Sequence, residues 1–297
     1  MPDDASSDSA RNRMQALLTV CVLAVASVAI ALLGATPARV STSELMGGPR
    51  GPGDAAFVAS HRGDSTSAPE NTIPAVESAI AGGFAYVEVD VVLTEDGQPV
   101  LMHDRTVNRT TNGRGAIAAM TLAEVRTLDA GSWFDPSFAG TLVPTLEEFL
   151  DVLAASDSKA LIELKGVWDA GAADRLAGAI EARGLQRNVA VASFDMRTLA
   201  HVSAASSVIS RLAIFRALPD DVVAAARTMG VRGIVVKEKA VIARPEIVDQ
   251  LHAEGMRVVV YTLNKGPQWL EATDLGVDGI VTDDPGSLFE WQADASR

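Results

Sequence analysis

Short runs of β-branched residues alternate along this chain with longer stretches rich in Ala and Leu. This alternation predicts parallel βα units, because each strand is followed by a helical stretch long enough to cross back over the sheet. Several of these stretches end at a glycine, a common helix terminator. The predicted strands are residues 56–60, 85–92, 160–164, 189–193, 211–215, 233–237, 257–263 and 279–282. Eight such units in one domain favour an α/β fold, a (β/α)8 TIM barrel, over a doubly wound sheet.

Composition and charge narrow the classes of function. With 48% hydrophobic and 21% charged residues, the chain can bury a large core and does not resemble a disordered polypeptide. The formal net charge of -13 opposes binding to a phosphate backbone, so nucleic acid is not an expected partner. The single cysteine, Cys21, excludes an internal disulfide bond and a cysteine-rich zinc site. A local cationic or metal-filled pocket is compatible with this charge, since net charge describes the whole surface.

An uncharged apolar run spans residues 16–34 and would extend roughly 28 Å as a helix, about the thickness of a bilayer core. Arg11 and Arg13 precede it, and this bias places the amino terminus in the cytoplasm. We therefore expect one N-terminal transmembrane helix that anchors an extracytoplasmic domain to the cell membrane. A cleaved signal peptide is the alternative, because residues 36–38 form a small-residue cleavage site, and the protein would then be secreted.

The chain is accordingly predicted to consist of four segments. Residues 41–54 are rich in Gly and Pro and lack an apolar period, which is typical of a flexible tether. The predicted segments are a cytoplasmic tail over 1–15, a transmembrane anchor or signal segment over 16–34, a flexible linker over 35–54 and a folded domain over 55–297.

Polar side chains concentrate where the first two strands run. His61 and Arg62 follow the first strand directly, and in parallel barrels the chemistry lies at the carboxyl ends of the strands. Glu88 and Asp90 are two residues apart on the second strand, so their side chains share one face. If that face points inward, the two carboxylates would repel each other unless a cation lay between them. The alternative is that both carboxylates point outward into solvent.

A hairpin is predicted after the second strand, because Asp96-Gly97 is a strong two-residue turn signal. With these two residues at the centre of the turn, Glu95 faces Gln98. Counting back along both arms then places His103 opposite Asp90. The hairpin would thus return a second histidine to the carboxylate pair.

The third predicted barrel strand contributes Glu163 and Lys165, again two residues apart on one face. A surface ion pair is the simple alternative, but Glu163 lies between Ile162 and Leu164 in a strand expected to be buried on both faces.

These residue types together indicate phosphoryl chemistry. Carboxylate oxygens from Glu88, Asp90 and Glu163 suit Mg²⁺ or Ca²⁺ better than a soft metal. His61 and His103 remain free for proton transfer. Arginine offers a planar fork and lysine a point charge, so Arg62 and Lys165 are candidate anion-binding residues.

The chain resembles the glycerophosphodiester phosphodiesterase family, and the similar motifs cover nearly all of the chain after Ala55. The motifs that carry the resemblance are HRG at 61–63, PENT at 69–72, EVDV at 88–91, DGQPVLMHD at 96–104, NRTTNGRG at 108–115, VPTLEEFL at 143–150, LIELKG at 161–166, ASF at 192–194, VYTLN at 260–264 and DGIVTDDP at 278–285.

The resemblance implies a TIM barrel that binds one divalent cation and hydrolyses a glycerophosphodiester to sn-glycerol 3-phosphate and an alcohol. It implies roles for individual residues. These are His61 and His103 as the acid/base pair, Glu88, Asp90 and Glu163 as metal ligands, Arg62 and Lys165 on the phosphate, Glu70 and Asn71 in support of the first loop or the substrate site, and Phe194 and Tyr261 against the substrate. Tyr261 is a departure, since the usual motif has Trp there, and the aromatic side chain at this position differs from the usual one in size and hydrogen bonding.

Two other functions are compatible with these residues. The same site could serve a lysophospholipase D or a sphingomyelinase D-like phospholipase that takes a lysophospholipid from the membrane beside the anchor. The barrel could instead be a catalytically inactive binding protein, which is disfavoured because both histidines and all three candidate ligands are present. The oligomeric state is not indicated by any motif.

Overall fold

Short apolar strands and their following helices make up the folded part of the chain in the computed structural model, which describes residue 14 and residues 41–295. The chain divides into two units, Met1–Arg39 and Val40–Arg297, and the fold described is that of the second. Its strands are β1 Phe57–Ser60, β2 Tyr86–Leu93, β3 Pro99–Leu101, β4 Lys159–Leu164, β5 Val189–Ser193, β6 Ser210–Phe215, β7 Gly233–Lys237, β8 Arg257–Tyr261 and β9 Gly279–Thr282.

Helices follow most of these strands. They are α1 Thr42–Met46, α2 Ile73–Ala81, α3 Leu122–Val125, α4 Leu146–Ala154, α5 Ala170–Ala182, α6 Met196–Ala205, α7 Val222–Met229, α8 Glu238–Ala243, α9 Glu246–Ala253, α10 Gly266–Asp274 and α11 Pro285–Ala295, with 3₁₀ turns at Ile117–Ala119, Pro136–Phe138 and Leu185–Arg187.

The strands close into a barrel. Hydrogen bonding runs in the order β1-β9-β8-β7-β6-β5-β4-β2, and β1 also pairs with β2 to complete the ring. All of these pairings are parallel, whereas β3 pairs antiparallel with the end of β2. The predicted TIM barrel with a hairpin after its second strand is therefore confirmed. The predicted strands match the observed bounds to within one residue, except that the strand predicted through residue 263 ends at Tyr261.

The hairpin turn differs from the prediction by one residue. Val91 pairs with Leu101 and Val92 with Val100, and the Thr94 and Gln98 backbones face each other through a Thr94 N–H to Gln98 carbonyl bond of 3.0 Å. The loop thus has three residues, with Gly97 in the left-handed region at φ 71°, and three-residue hairpins commonly use such a residue. Met102, not His103, lies opposite Asp90, through a Met102 N–H to Asp90 carbonyl bond of 3.0 Å.

The period of two along the strands separates the inside of the barrel from its outside. One buried cluster fills the interior and includes Phe57, Tyr86 and Leu161, whereas a larger cluster lies between the strands and the helices. Glu88 and Asp90 have the same parity as Tyr86, and Glu163 has the same parity as Leu161. The carboxylates therefore point inward, above the apolar layer and toward the carboxyl ends of the strands.

A short helix covers the opposite end of the barrel, where composition predicts a flexible linker. Leu45 and Met46 on α1 are buried in the interior cluster. The Tyr86 hydroxyl donates to the Leu45 carbonyl at 2.6 Å, and the buried Arg257 guanidinium donates to the Gly47 carbonyl at 2.6 Å. Both partners lie at the start of their strands, so α1 closes the amino-terminal end of the barrel.

In the part of the chain that the structure describes, no helix combines the length and the apolar character that crossing a bilayer would require. The anchor or signal segment predicted over residues 16–34, and the tail predicted over residues 1–15 apart from Met14, lie outside the described residues.

Candidate active site

The loop after β1 folds over β2 and brings its polar residues to the carboxylates. The Arg62 backbone N–H donates to Glu88 Oε2 at 2.9 Å, and the Gly63 N–H donates to the Glu88 carbonyl at 3.0 Å. Gly63 has φ 82°, and a Cβ there would lie 2.7 Å from the Ala75 backbone. Only glycine fits this position, because it tolerates both the left-handed conformation and the close approach.

Three acidic side chains meet in the barrel mouth. Glu88, Asp90 and Glu163 each offer an oxygen that lies within 4.8 Å of the others. Asp90 and Glu163 are paired in register on β2 and β4, and Glu88 and Asp90 are almost fully buried. The predicted inward orientation is thus observed, and the alternative of an outward-facing pair is excluded.

Neighbouring charges shift the ionisation of these acids in opposite directions. Burial, reinforced by the nearby Asp90 charge, raises the pKa of Glu88 and of Glu163. Burial also opposes ionisation of Asp90, but the Lys165 and Arg62 charges outweigh it and hold the pKa of Asp90 below its ordinary value. Glu88 and Glu163 therefore bind protons more readily than Asp90, whose charge is stabilised by the two cations.

This donor set fits a divalent cation. Lys165 Nζ lies 2.9 Å from Asp90 Oδ1 and 2.7 Å from Glu163 Oε1. Both oxygens are nevertheless buried without a hydrogen-bond partner in good geometry among the described residues. Buried carboxylate oxygens left in this state are the hard ligands that Mg²⁺ and Ca²⁺ prefer.

Each predicted catalytic histidine is held through Nδ1 by a carboxylate. His61 Nδ1 lies 2.5 Å from Asp283 Oδ1, and His103 Nδ1 lies 2.8 Å from Asp104 Oδ1. A carboxylate at Nδ1 favours the tautomer that leaves Nε2 to exchange protons, as in other imidazole–carboxylate pairs. His103 remains at the mouth despite the one-residue difference in the hairpin, because His103 directly follows Met102, the residue opposite Asp90.

The two histidines differ in proton affinity. Burial acts to lower the pKa of His61, but the Asp283 hydrogen bond and the Glu88 charge raise it above the ordinary value. For His103 burial prevails, aided by the Arg62 and Lys165 charges, and its pKa is lowered. One imidazole is thus biased toward the protonated form and the other toward the neutral form.

Glu70 and Asn71, which resemblance assigns to the first loop or the substrate site, bind other site residues. Arg62 Nη1 donates to Glu70 Oε1 at 2.7 Å. Asn71 Nδ2 donates to Asp90 Oδ2 at 3.0 Å, and the Asp90 backbone N–H donates to Asn71 Oδ1 at 3.0 Å. Asn71 therefore binds both the carboxylate and the backbone N–H of Asp90, and Glu70 orients the Arg62 guanidinium.

Two aromatic residues border the same mouth. Tyr261, at the end of β8, lines a cavity together with His61, Glu88 and Glu163. Phe194, directly after β5, packs against the interior cluster as Tyr261 does. The Arg216 guanidinium lies over the Phe194 ring, 4.5 Å from its centroid. Tyr261, which the resemblance places against the substrate, is thus adjacent to the acidic group.

Sequence reasoning missed the residues that orient the histidines. Asp283 follows β9 directly, so the rule that chemistry lies at the carboxyl ends of strands could have identified it. Asn264 Nδ2 donates to Asp283 Oδ2 at 2.6 Å, and the Asp283 N–H donates to Asn264 Oδ1 at 2.9 Å. Asp104 and Arg109 lie inside the motifs at 96–104 and 108–115, but no spacing rule indicates what these two side chains contact.

Three acidic residues and two carboxylate-bound histidines thus meet at the carboxyl end of a TIM barrel, an arrangement suited to acid–base hydrolysis of a phosphodiester. The chain matches the model of the glycerophosphoryl diester phosphodiesterase family over residues 61–287. It belongs to this family and is a phosphoric diester hydrolase.

Proteins similar to this chain in sequence and in structure support the same family assignment. A glycerophosphodiester phosphodiesterase of Caldanaerobacter subterraneus subsp. tengcongensis is 34% identical over 235 residues, which is 78% of this chain and 96% of that protein. A glycerophosphodiester phosphodiesterase of Bacillus altitudinis is 32% identical, over 76% of this chain and 93% of that protein. An Oleispira antarctica phosphodiesterase, solved in complex with the product sn-glycerol-3-phosphate, is 28% identical with a TM-score of 0.72, covering 80% of this chain and 96% of that chain.

Proposed function

We propose that this phosphodiesterase hydrolyses glycerophosphodiesters to sn-glycerol 3-phosphate and an alcohol, with His61 and His103 transferring protons and Glu88, Asp90 and Glu163 holding one divalent cation. The observation that carries the proposal is the meeting of three buried carboxylates within 4.8 Å, next to two histidines that each have one ring nitrogen fixed. When bound, a Mg²⁺ or Ca²⁺ ion would neutralise charge on the phosphate oxygens.

The two histidines take different roles. The raised pKa of His61 favours its protonated form, which suits a donor to the departing alcohol oxygen. The lowered pKa of His103 favours its neutral form, which suits an acceptor for the proton of the attacking hydroxyl. Proton transfer at His61 Nε2 and His103 Nε2 then leaves each Nδ1 on its carboxylate throughout the reaction.

Arg62 and Lys165 serve the phosphate in this proposal. Both cations line the mouth and are partly buried, where a fixed positive charge interacts more strongly than in water. The guanidinium can bind two phosphate oxygens and the ammonium one. Tyr261 and Phe194 would shape the apolar side of the substrate site.

Product analysis tests the proposal. Purified protein is incubated with glycerophosphocholine, and sn-glycerol 3-phosphate and choline are quantified before chelation, after chelation, and after Mg²⁺ or Ca²⁺ is restored. We expect turnover that chelation abolishes and a cation restores. Full turnover in chelator would exclude the metal role. Turnover of lysophosphatidylcholine without turnover of the soluble diester would instead favour the lysophospholipase D reading.

The cellular location is a separate proposal that rests on the sequence of residues 16–34. We propose a single-pass membrane anchor with the barrel outside the cytoplasm. A spanning helix resists salt extraction, so the full chain should remain in the membrane pellet after a high-salt wash. Recovery of a shortened chain in the medium would support signal cleavage and secretion instead.

A further inference from the structure

The exposed Arg109 guanidinium bridges two carboxylates that belong to different parts of the site. Its Nη1 and Nη2 atoms donate to Glu70 Oε2 and Oε1 at 2.7 and 2.8 Å. Its Nε atom donates to Asp104 Oδ2 at 2.8 Å, and Nη2 also reaches Asp104 Oδ1 at 3.3 Å. One planar group thus makes charge-assisted bonds to four oxygens at once.

Each bridged carboxylate holds a residue that the proposed mechanism uses. Glu70 Oε1, which accepts from Arg109, also accepts from Arg62 Nη1 at 2.7 Å. Asp104 Oδ1, which accepts from Arg109, also lies 2.8 Å from His103 Nδ1. A continuous path therefore runs from Arg62 through Glu70, Arg109 and Asp104 to His103.

We propose that Arg109 is a positioning residue, which fixes the phosphate-binding Arg62 and the proton-accepting His103 relative to each other by binding Glu70 and Asp104 together. This inference rests on the proposed function. Arg62 and His103 come from different segments, the loop after β1 and the residues after β3, and in the part of the chain described here Arg109 joins the carboxylates that orient them.

The electrostatics agree with this geometry. Arg109 provides the largest contribution that lowers the pKa of Asp104, to about 2, so this carboxylate stays charged on the imidazole. Burial opposes ionisation of Glu70, but bonds from Arg109 and the charge of Arg62 hold its pKa below the ordinary value. Both carboxylates therefore remain acceptors across the pH range in which a histidine works.

Substitution at position 109 separates positioning from folding. The Arg109 side chain is 45% exposed, so Arg109→Ala should leave no buried cavity. We expect kcat to fall by about 10- to 100-fold, the usual effect of removing an orienting partner. KM should rise by a smaller factor, because Arg62 loses only part of its support. Arg109→Lys should recover only part of the lost kcat. The lysine restores a positive charge, but its ammonium cannot bind two carboxylates in the same planar geometry.

Arg227→Ala is the matched control. Arg227 also makes a two-atom ion pair with a carboxylate, that of Glu254, and is 59% exposed. It lies on α7, away from the site, so kcat and KM should remain within about twofold of wild type.

A double-mutant cycle gives the readout that a merely structural role would not move. If Arg109 acts through Asp104, the loss of kcat caused by Asp104→Asn should be several-fold smaller in the Arg109→Ala background than in the wild-type background. Additive losses, or an Arg109→Ala rate within twofold of wild type, would overturn the inference. If wild-type protein does not release glycerol 3-phosphate, or if His103→Asn is fully active, the proposed function itself fails.

Discussion

Asp90 and Glu163 occupy directly paired positions on two neighbouring parallel strands, and one lysine ammonium lies between their carboxylates at 2.9 and 2.7 Å. Their separation is set by main-chain hydrogen bonds of β2 and β4, not by side-chain choice. Isosteric substitutions at either position should therefore change charge while leaving the barrel intact.

Glu163→Gln tests the metal proposal. The amide keeps the shape but loses the negative charge, so the cation concentration needed for half-maximal rate should rise by about 10- to 100-fold. Titration of activity with Mg²⁺ and with Ca²⁺ measures this. Glu271→Gln, at an exposed position on α10, is a control whose titration should match wild type. An unchanged titration for Glu163→Gln would contradict its role as a ligand.

The metal-free protein should lose stability as pH rises. Burial, reinforced by Asp90, raises the pKa of Glu88 to about 8 from its ordinary 4.5. Between these values the folded protein holds a proton that the unfolded chain has released, so the free energy of unfolding falls as pH rises through this window. An added divalent cation should therefore raise the melting temperature more at pH 8 than at pH 5.5. An equal increase at both values would contradict this prediction.

His103→Asn should reduce kcat by about 10²- to 10⁴-fold without a matching loss of stability, as expected for one positioned acid or base. His201→Asn is the control, because His201 lies on α6, its Nδ1 contacts the Trp168 carbonyl at 2.7 Å and it does not line the acidic cavity. Steady-state kinetics and thermal unfolding of both variants provide the comparison. Near-normal turnover of His103→Asn would remove it from the mechanism.

Asp283→Asn should alter the pH dependence of kcat/KM. The Asp283 hydrogen bond is the largest effect that raises the pKa of His61, so its loss lowers that pKa. A proton donor fails as pH rises through its pKa, and the falling limb should therefore move to lower pH, by about 1–2 units. Asp284→Asn, which caps α11 through the Ser287 N–H at 3.0 Å, should leave the limb in place. Movement to higher pH would contradict the donor role.

Leu45→Ala should destabilise the barrel although residue 45 lies in a segment that composition predicts to be a linker. Leu45 is 1% exposed, and such truncations reduce the free energy of unfolding by about 2–5 kcal/mol. Leu270→Ala, at a position that is 52% exposed, should cost much less. Denaturant unfolding measures both, and kcat of Leu45→Ala should be unchanged because α1 closes the end away from the mouth.

Much of this architecture is predictable from the sequence because strands have a simple period. Glu88 and Asp90 share a face by parity, and a strand rich in Val that is buried on both faces leaves an inward carboxylate pair in need of a cation. The same reasoning places Glu163 beside them. Fold class and the three candidate acids thus follow from local pattern, whereas their inward orientation and their meeting are established by the pairing of β2 with β4.

Other contacts depend on tertiary closure that no local pattern specifies. His61 and Asp283 are 222 residues apart in sequence and meet only because β1 pairs with β9. The hairpin register changed by one residue because Gly97 takes a left-handed conformation in a three-residue loop. Helix α1 has five residues, too few to show a helical period, and its burial depends on the open end of a barrel that forms far along the chain.

Strand β2 has a partner along almost its whole length, pairing with β1 at its start, β4 through its middle and β3 at its end. Because β2 is paired in this way, it cannot easily slip by two residues, the smallest displacement that would keep Glu88 and Asp90 facing inward while moving both along the barrel axis. The backbone pairing of β2 therefore fixes the positions of the Glu88 and Asp90 carboxylates. Substitutions at these two positions should therefore change the chemistry of the side chain while the hydrogen bonds between the strands keep the backbone in place.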